Sequence, residues 1–321
     1  APSCGTAEAV VPPARLAGEP EKWGYVAATR PAACAGAEGP LAGAVALIEK
    51  QAAAKGCRSV FLFVHGFHTG FDSAALRAAQ IAADAGTGCA VAAFSWTSEG
   101  DLDRYAVDLE RSGYAQPLLA EFLRALADSG LRVAVLGHSM GARMMLATLA
   151  AMGKSRTPPL EGSIDELVLA AADVGAEQGN DDAAHLLRDA APFAKRITVY
   201  ASAGDAVLRL AESAHGGVPR LGESPAHALA YRQAGAHEVD AIDASPVPAD
   251  AFDHSYYAMS YETLYDLGRT LRGVPVEERM KASAAAPATL VSGKDGAPKL
   301  ATERRPRLIS RILLGLTPLV P

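Results

Sequence analysis

The residue of this chain best placed to do chemistry is Ser139, in the centre of segment 137–141, GHSMG. An apolar β-branched run precedes the segment, and a helical pattern of Ala, Met and Leu follows it at once. A serine at such a sharp strand-to-helix turn presents its hydroxyl outward. Glycine is required at both flanks because a Cβ there would crowd the strand and the helix. The pattern therefore predicts that Ser139 is a nucleophile.

A serine nucleophile that attacks an acyl group needs donors for the oxyanion. The first N–H groups of the following helix lack intrahelical partners and carry partial positive charge, so we assign one donor to the backbone N–H of Met140. The second is expected from the loop His-Gly-Phe at 65–67, where glycine allows close backbone approach, and we assign it to Phe67. His68 and Trp96 are candidates for the pocket wall, although a core role for Trp96 is equally compatible with its position.

The serine also needs a general base, and His254 is the predicted one. Of the eight histidines, it alone follows the last predicted strand in a loop at the correct edge of the sheet. The histidines at 185, 215, 227 and 237 are interpreted as helix or surface residues, and those at 65 and 138 as residues that orient backbone in tight turns.

A carboxylate must orient that histidine, and two aspartates compete for the role. Asp205 and Asp173 each follow a predicted strand at its carboxyl end. Asp205 is preferred because its strand is nearer to His254 in chain order and because its short loop could turn a side chain inward. Asp173 stays open as the alternative. Asp253 is disfavoured, since adjacent side chains usually point apart.

The elements that must position these residues alternate between strand and helix. Apolar strand-like runs at 59–64, 89–94, 133–136, 166–172, 196–201 and 238–242 are separated by segments with helical patterns. Such alternation predicts an α/β fold with a mainly parallel central sheet and helices on both faces, with a small cap or none. Chemistry gathers at the carboxyl edge of such a sheet. Residues 215–235 are Gly- and Pro-punctuated and are predicted to be a loop-like flap over the site.

Three regions are expected along the chain: an arm at 1–40, a catalytic domain at 41–272 and a tail at 273–321. The arm should add an edge strand near 23–28. Residues 281–300 are rich in Ala, Pro, Gly and Lys and are predicted to be a loosely packed linker. The last residues, 304–321, are basic and then apolar. Docking of this end on the body is favoured over a membrane-surface anchor.

Composition narrows the function classes. The chain has 321 residues, half of them hydrophobic, and a formal net charge of -6, which is typical of a globular protein and argues against a general nucleic-acid binder. No apolar run reaches the length of a membrane span. The cysteine spacing matches no zinc pattern, and neither a metal nor an organic cofactor is expected.

All four cysteines lie in the first third of the chain. Cys57 precedes one predicted strand and Cys89 opens the next, so the two lie within bridging reach if those strands are neighbours. By elimination Cys4 would pair with Cys34, and four unpaired thiols are the alternative. The first segment, APSCG, is typical of a mature N-terminus or of a trimmed chain. Together with a disulfide framework, it favours a periplasmic or secreted protein. A cytoplasmic location stays open.

The order of these blocks is similar to a known family. The runs HGFHTGFDSAALRAAQIA, AFSWTS, GHSMGAR, YASAGDAVLRLA, VDAIDAS and DHSYY resemble the alpha/beta hydrolase superfamily, and within it a bacterial esterase-like branch of largely unassigned function, from Trp23 to Arg272. The resemblance implies catalytic roles for the nucleophile, acid and base named above, with oxyanion donors at 67 and 140. At His68 that branch tends to carry asparagine.

The resulting expectation is a serine hydrolase that cleaves small-molecule carboxylic esters through an acyl-enzyme. The same machinery could act on amides or thioesters. A second class stays open: a binding or interaction protein that keeps the hydrolase fold without turnover.

Overall fold

The structure is a computed structural model that describes residues 4–11, 25–32, 41–87, 89–98, 102–154, 161–176, 182–233, 239–247, 250–283, 287–293 and 296–302. Its strands are β1 (Cys4–Val10), β2 (Tyr25–Ala32), β3 (Ser59–Val64), β4 (Ala90–Phe94), β5 (Arg132–His138), β6 (Glu166–Ala170), β7 (Ile197–Ala201), β8 (Val239–Asp243), β9 (Leu290–Ser292) and β10 (Pro298–Leu300). Its α-helices are α1 (Ala42–Ala54), α2 (Phe71–Ala85), α3 (Tyr105–Asp128), α4 (Met140–Lys154), α5 (Asp182–Ala190), α6 (Ala206–Ala214), α7 (Pro225–Gln233), α8 (Tyr256–Met259), α9 (Tyr261–Leu271) and α10 (Val276–Arg279).

The centre of the molecule is an eight-stranded sheet in the order β4-β3-β5-β6-β7-β8-β10-β9. The first seven strands in this order pair in parallel with their neighbours. The last strand, β9, pairs with β10 in the antiparallel direction. One apolar core lies between the sheet and α1, α3, α4 and α5, and a second lies between the other face and α2, α8 and α9. The predicted α/β class with helices on both faces is confirmed.

The strands form where uninterrupted apolar runs can be buried on both faces. Every residue of β3 after Ser59 is buried, and β6 and β7 are buried throughout. The expected polar residues follow the carboxyl ends of β3, β5, β6 and β7. Because parallel strands end at one edge, the sheet delivers these side chains to the same side of the molecule.

The N-terminal arm does not join this sheet, contrary to the expectation of an edge strand. Strands β1 and β2 pair with each other in an antiparallel ribbon, in which Gly5 lies opposite Pro31. Strand β1 is therefore the pairing partner of β2. Pro31 in β2 has no backbone N–H that could bond to another strand.

Residues 281–300 were predicted to be a linker, and this interpretation is wrong where the structure describes them. Leu290 and Leu300 are buried, and β9 and β10 extend the sheet beyond residue 272. Thr289 and Arg279 both bond to the buried carboxylate of Asp266. Composition missed these strands because each of them is only three residues long. The end of the tail, 303–321, lies outside the described residues.

One further prediction of local structure is wrong. The segment expected to be a flap is largely regular, since it contains a 3-10 turn at Leu221–Glu223 and helix α7. Helix α3 is continuous through Pro117, and residues on both sides of the proline, Ser112 and Leu119, are buried.

Cys57 and Cys89 form a disulfide, with Cα atoms 6.0 Å apart. They lie at the starts of β3 and β4, which are parallel neighbours, as the sequence predicted. The predicted partner of Cys4, Cys34, lies outside the described residues. Within the described ranges, no helix combines the length and the hydropathy needed to cross a bilayer.

Candidate active site

Ser139 occupies a strained turn between β5 and α4. Its φ is 53°, in the left-handed region that few residues other than glycine adopt. The turn is held from both sides, since the Ser139 N–H donates to the Ala170 carbonyl at 2.9 Å and the Ser139 carbonyl accepts from Ala142 N–H at 3.0 Å. Neighbouring backbone therefore fixes the conformation of the serine.

The glycines around the serine are explained by close backbone contacts. A Cβ at Gly137 would lie 2.8 Å from the Ala142 Cα, and one at Gly141 would lie 2.4 Å from the His65 carbonyl oxygen. A Cβ at Gly66 would lie 2.9 Å from the Ser139 Cβ. Only glycine allows the loop after β3 to pack against the nucleophile turn.

The imidazole of His254 is paired with the carboxylate of Asp205. Nδ1 of His254 lies 2.9 Å from Oδ1 and 2.8 Å from Oδ2 of Asp205. Asp205 is completely buried and also caps α6, because its Oδ1 accepts from Leu208 N–H at 2.9 Å. A carboxylate oxygen accepts hydrogen bonds, so we assign the ring proton to Nδ1, which leaves Nε2 as the basic nitrogen.

The loop that carries His254 is organised by a carboxylate that sequence reasoning missed. Asp250 accepts backbone N–H bonds from Phe252 at 2.8 Å, His254 at 3.3 Å and Ser255 at 2.9 Å. Burial acts to raise the pKa of Asp250, but these donors outweigh it and hold the pKa below its ordinary value. An aspartate a few residues before a loop histidine was the available signal, since aspartate favours such turns.

His138 connects the nucleophile turn to this loop. Its ring centroid lies 4.7 Å from that of His254, and its Nε2 lies 3.3 Å from the His254 carbonyl oxygen. Burial, followed by the neighbouring His254, keeps the pKa of His138 well below its ordinary value, so this ring is neutral. The residue next to Ser139 therefore contacts the loop that carries His254.

His65 orients backbone, as the sequence predicted. Its Nε2 accepts from Trp96 N–H at 3.1 Å, and its Nδ1 lies 2.8 Å from the Gly66 carbonyl oxygen. Burial lowers its pKa, so the neutral ring with the proton on Nδ1 satisfies both bonds. The Trp96 indole N–H donates to the His65 carbonyl at 2.9 Å. Only 5% of Trp96 is exposed, which favours the core role over the pocket wall.

The two loop residues after Gly66 differ in environment. Phe67, one proposed oxyanion donor, is half-buried. The other proposed donor, Met140, does not belong to this loop and is completely buried at the start of α4. His68 is exposed and has a φ of 56°. Asparagine tolerates the left-handed region well, so the backbone at this position would accept asparagine as well as histidine.

Asp173, the alternative acid, has other partners. Its Oδ1 accepts from Arg220 Nε at 2.8 Å, and its Oδ2 accepts from the Tyr105 hydroxyl. Asp173 and Arg220 are both almost completely buried. Asp205 is therefore the aspartate that contacts the histidine. No sequence signal identified Arg220 or Tyr105, because neither lies near Asp173 along the chain.

Among the described residues, no group of three or more His, Cys, Asp or Glu side chains is arranged to hold a metal ion. The side chains at this edge that could do chemistry are Ser139, in its strained turn, and His254, paired with Asp205.

The sequence matches the family described as "Alpha/beta hydrolase of unknown function (DUF900)" over residues 44–271, and the chain belongs to this family. No functionally curated protein matches it.

Among solved structures, the chain is similar to a hyperthermophilic esterase from the archaeon Pyrobaculum calidifontis, with 14% identity, 67% of this chain and 76% of that chain covered, and a TM-score of 0.39. A soluble variant of monoglyceride lipase from Saccharomyces cerevisiae has 12% identity, 67% and 86% coverage, and a TM-score of 0.38. A dienelactone hydrolase from Anabaena variabilis has 15% identity, 56% and 84% coverage, and a TM-score of 0.33. At these values the similarity bears on neither substrate nor mechanism.

Proposed function

We propose that the protein is a serine hydrolase of small-molecule carboxylic esters, with Ser139 as nucleophile, His254 as general base and Asp205 as orienting acid. The observation that carries the proposal is the buried Asp205 carboxylate 2.8 Å from Nδ1 of His254. This pair lies beside the strained turn of Ser139, to which the His138 ring connects it.

In the first half of the reaction, the Ser139 oxygen attacks the acyl carbon and His254 Nε2 takes the serine proton. Asp205 stabilises the imidazolium and keeps Nε2 directed at the serine. The backbone N–H groups of Phe67 and Met140 stabilise the oxyanion of the tetrahedral intermediate. The C–O bond to the alcohol then breaks, and the alcohol leaves with the proton from His254.

In the second half, water attacks the acyl-enzyme. His254 removes a proton from this water, and a second tetrahedral intermediate forms at the same donors. Its collapse releases the carboxylic acid and returns the proton to the Ser139 oxygen. Apart from the ester and this water, the steps use only groups of the chain. An amide or thioester could follow the same steps, so ester preference is the specific part of the proposal.

The test compares turnover of p-nitrophenyl acetate, butyrate and octanoate by the wild type and by Ser139→Ala. Loss of a serine nucleophile lowers kcat by about 10⁶-fold in comparable hydrolases, so the variant should fall to background. Ser213→Ala is the matched control, because Ser213 is exposed on α6 and bonds only locally to the Arg209 carbonyl. It should keep wild-type rates.

Equal background rates in all three proteins would instead favour a binding protein that retains the fold without turnover. Rates that are higher for matched p-nitroanilides or thioesters than for esters would keep the three catalytic residues and overturn the ester preference.

We also propose an oxidising location, periplasmic or extracellular, which the disulfide between Cys57 and Cys89 supports. Fractionation of the source cells, with alkylation of free thiols before lysis, tests this. The protein should be recovered outside the cytoplasm with both thiols protected, and recovery of reduced protein in the cytoplasm would contradict the proposal.

A further inference from the structure

Tyr105 contacts three parts of the molecule: the loop after β3, the residues after β6 and the C-terminal end of α6. It is the first residue of α3 and is partly buried. Its ring packs edge-on against Phe67, with centroids 5.6 Å apart and planes at 74°. On another side it packs edge-on against His215, with centroids 5.7 Å apart. The proposed mechanism gives this tyrosine no role.

The hydroxyl of Tyr105 is anchored in a buried polar group. It donates to Asp173, whose other oxygen accepts from Arg220 at 2.8 Å. Burial, followed by the charge of Asp173, raises the pKa of Tyr105, so the phenol stays protonated and donates at any working pH. An ion pair with both partners buried fixes the anchor firmly.

The anchor is also joined to the nucleophile turn. The Asp173 N–H donates to the Ser139 carbonyl at 3.3 Å. Contacts therefore run from Ser139 through Asp173 to the Tyr105 hydroxyl, and across the Tyr105 ring to Phe67. The two ends of this path are the proposed nucleophile and one proposed oxyanion donor.

We propose that Tyr105 is a positioning residue for the hydrolase reaction, and that its anchored ring holds Phe67 so that the Phe67 N–H points at the developing oxyanion. The proposal rests on the proposed function. Phe67 is only half-buried. The Thr69 hydroxyl donates to its carbonyl at 3.1 Å, and the Tyr105 ring packs against its side chain, so the two contacts together fix this residue. Oxyanion donors act only within a narrow range of distances, and a shift of about 1 Å can cost about 100-fold in rate.

The direct test removes the ring and the hydroxyl separately. Tyr105→Leu loses the brace and should lower kcat by about 30- to 100-fold, with KM changed by less than about threefold. Tyr105→Phe keeps the ring without its anchor and should lower kcat by about three- to tenfold. Tyr114→Leu is the control on the same helix, because Tyr114 is 74% exposed, and it should match the wild type.

An inhibitor pair separates positioning from general damage. A trifluoromethyl ketone forms a tetrahedral adduct that needs the oxyanion donors, whereas the methyl ketone of the same shape binds without forming one. Tyr105→Leu should weaken the trifluoromethyl ketone by the same factor as kcat and leave the methyl ketone unchanged. Equal weakening of both, or of neither, would overturn the proposal.

A double-mutant cycle combines Phe67→Ala with Tyr105→Leu. If Tyr105→Leu folds poorly, Tyr105→Phe replaces it in the cycle and the proposal stays testable. Phe67→Ala retains the backbone N–H but loses the braced ring. Its loss in kcat should be strongly non-additive with that of the tyrosine variant, and additive losses would contradict the brace. If the wild type itself turns over no ester, the proposed function has failed. If the wild type is active and Tyr105→Leu equals it, only this inference has failed.

Discussion

Asp173 and Asp205 follow consecutive strands of one sheet, β6 and β7, at the same edge. Each is at most 1% exposed, yet their partners differ. Asp173 is bonded to the guanidinium of Arg220 and the phenol of Tyr105, whereas Asp205 is bonded to the imidazole of His254 and to the end of α6. The two carboxylates are alike in position and burial, and their partners alone distinguish them.

Under the proposed function, this difference separates a structural acid, Asp173, from the acid that orients the general base, Asp205. Arginine is charged at all working pH values, so its pair with Asp173 cannot exchange a proton and serves to fix geometry. Histidine changes charge near neutral pH, so a carboxylate beside it stabilises a cation that forms during the reaction. A buried aspartate is therefore best assigned from its partner.

The largest expected effect separates the two aspartates in kcat. Asp205→Asn should lower kcat by about 10³- to 10⁴-fold, because the amide no longer stabilises the imidazolium or its correct tautomer. Its stability should change little, since asparagine caps a helix as well as aspartate does. Asp173→Asn should lower kcat by about tenfold at most, through its link to Tyr105. Ester kinetics of both variants decide the comparison, and the reverse order of effects would make Asp173 the catalytic acid.

The next effect concerns stability. Arg220→Met leaves the Asp173 carboxylate buried without its cation, and such losses cost about 3–5 kcal/mol. Urea unfolding should show this decrease in the free energy of unfolding, while kcat of the folded variant stays within about tenfold of the wild type. Arg188→Met is the control, because the Arg188 side chain is 60% exposed, and it should change stability by less than about 0.5 kcal/mol. An Arg220→Met variant as stable as the wild type would contradict the structural role.

A third buried acid, Glu166, extends the comparison of Asp173 with Asp205. It is the first residue of β6 and lies at the amino edge of the sheet, opposite the two aspartates. Burial raises its pKa to about 7, against the opposing charges of Arg196 and Arg279. The folded state therefore holds a proton that the unfolded state releases near its ordinary pKa of 4.5. This stabilisation is complete below that value and is lost as pH rises to about 7.

Glu166→Gln removes this titration. Relative to the wild type, its free energy of unfolding should rise by about 2–3 kcal/mol between pH 4.5 and 7.5. Urea unfolding at several pH values measures the difference. A difference that stays flat across this range would show that Glu166 is already ionised in the folded protein.

The sequence predicted those parts of the site that depend on local backbone. The turn at Ser139 follows from glycines whose missing Cβ atoms avoid contacts as short as 2.4 Å, and the strands from apolar runs. Chain order favoured Asp205, because the strand before it lies nearer to His254. The packing of the His138 ring on His254 was not visible, since that contact joins residues 116 positions apart.

Other features depended on partners that no local pattern identifies. Arg220 reaches Asp173 from 47 positions away, so the segment expected to be a flap is fastened to the body by a buried ion pair. The short strands β9 and β10 occur in a stretch whose composition is typical of a linker. They form because Leu290 and Leu300 complete an apolar face of the sheet, a requirement that only the assembled fold imposes.

The most direct measurement is covalent labelling of the folded wild-type protein with a fluorophosphonate, followed by mass mapping of the modified peptide. Our account predicts one adduct, on Ser139, its absence in Ser139→Ala, and labelling slowed by at least about 10³-fold in Asp205→Asn but not in Asp173→Asn. An adduct on another residue, or none in protein shown to be folded, would contradict it.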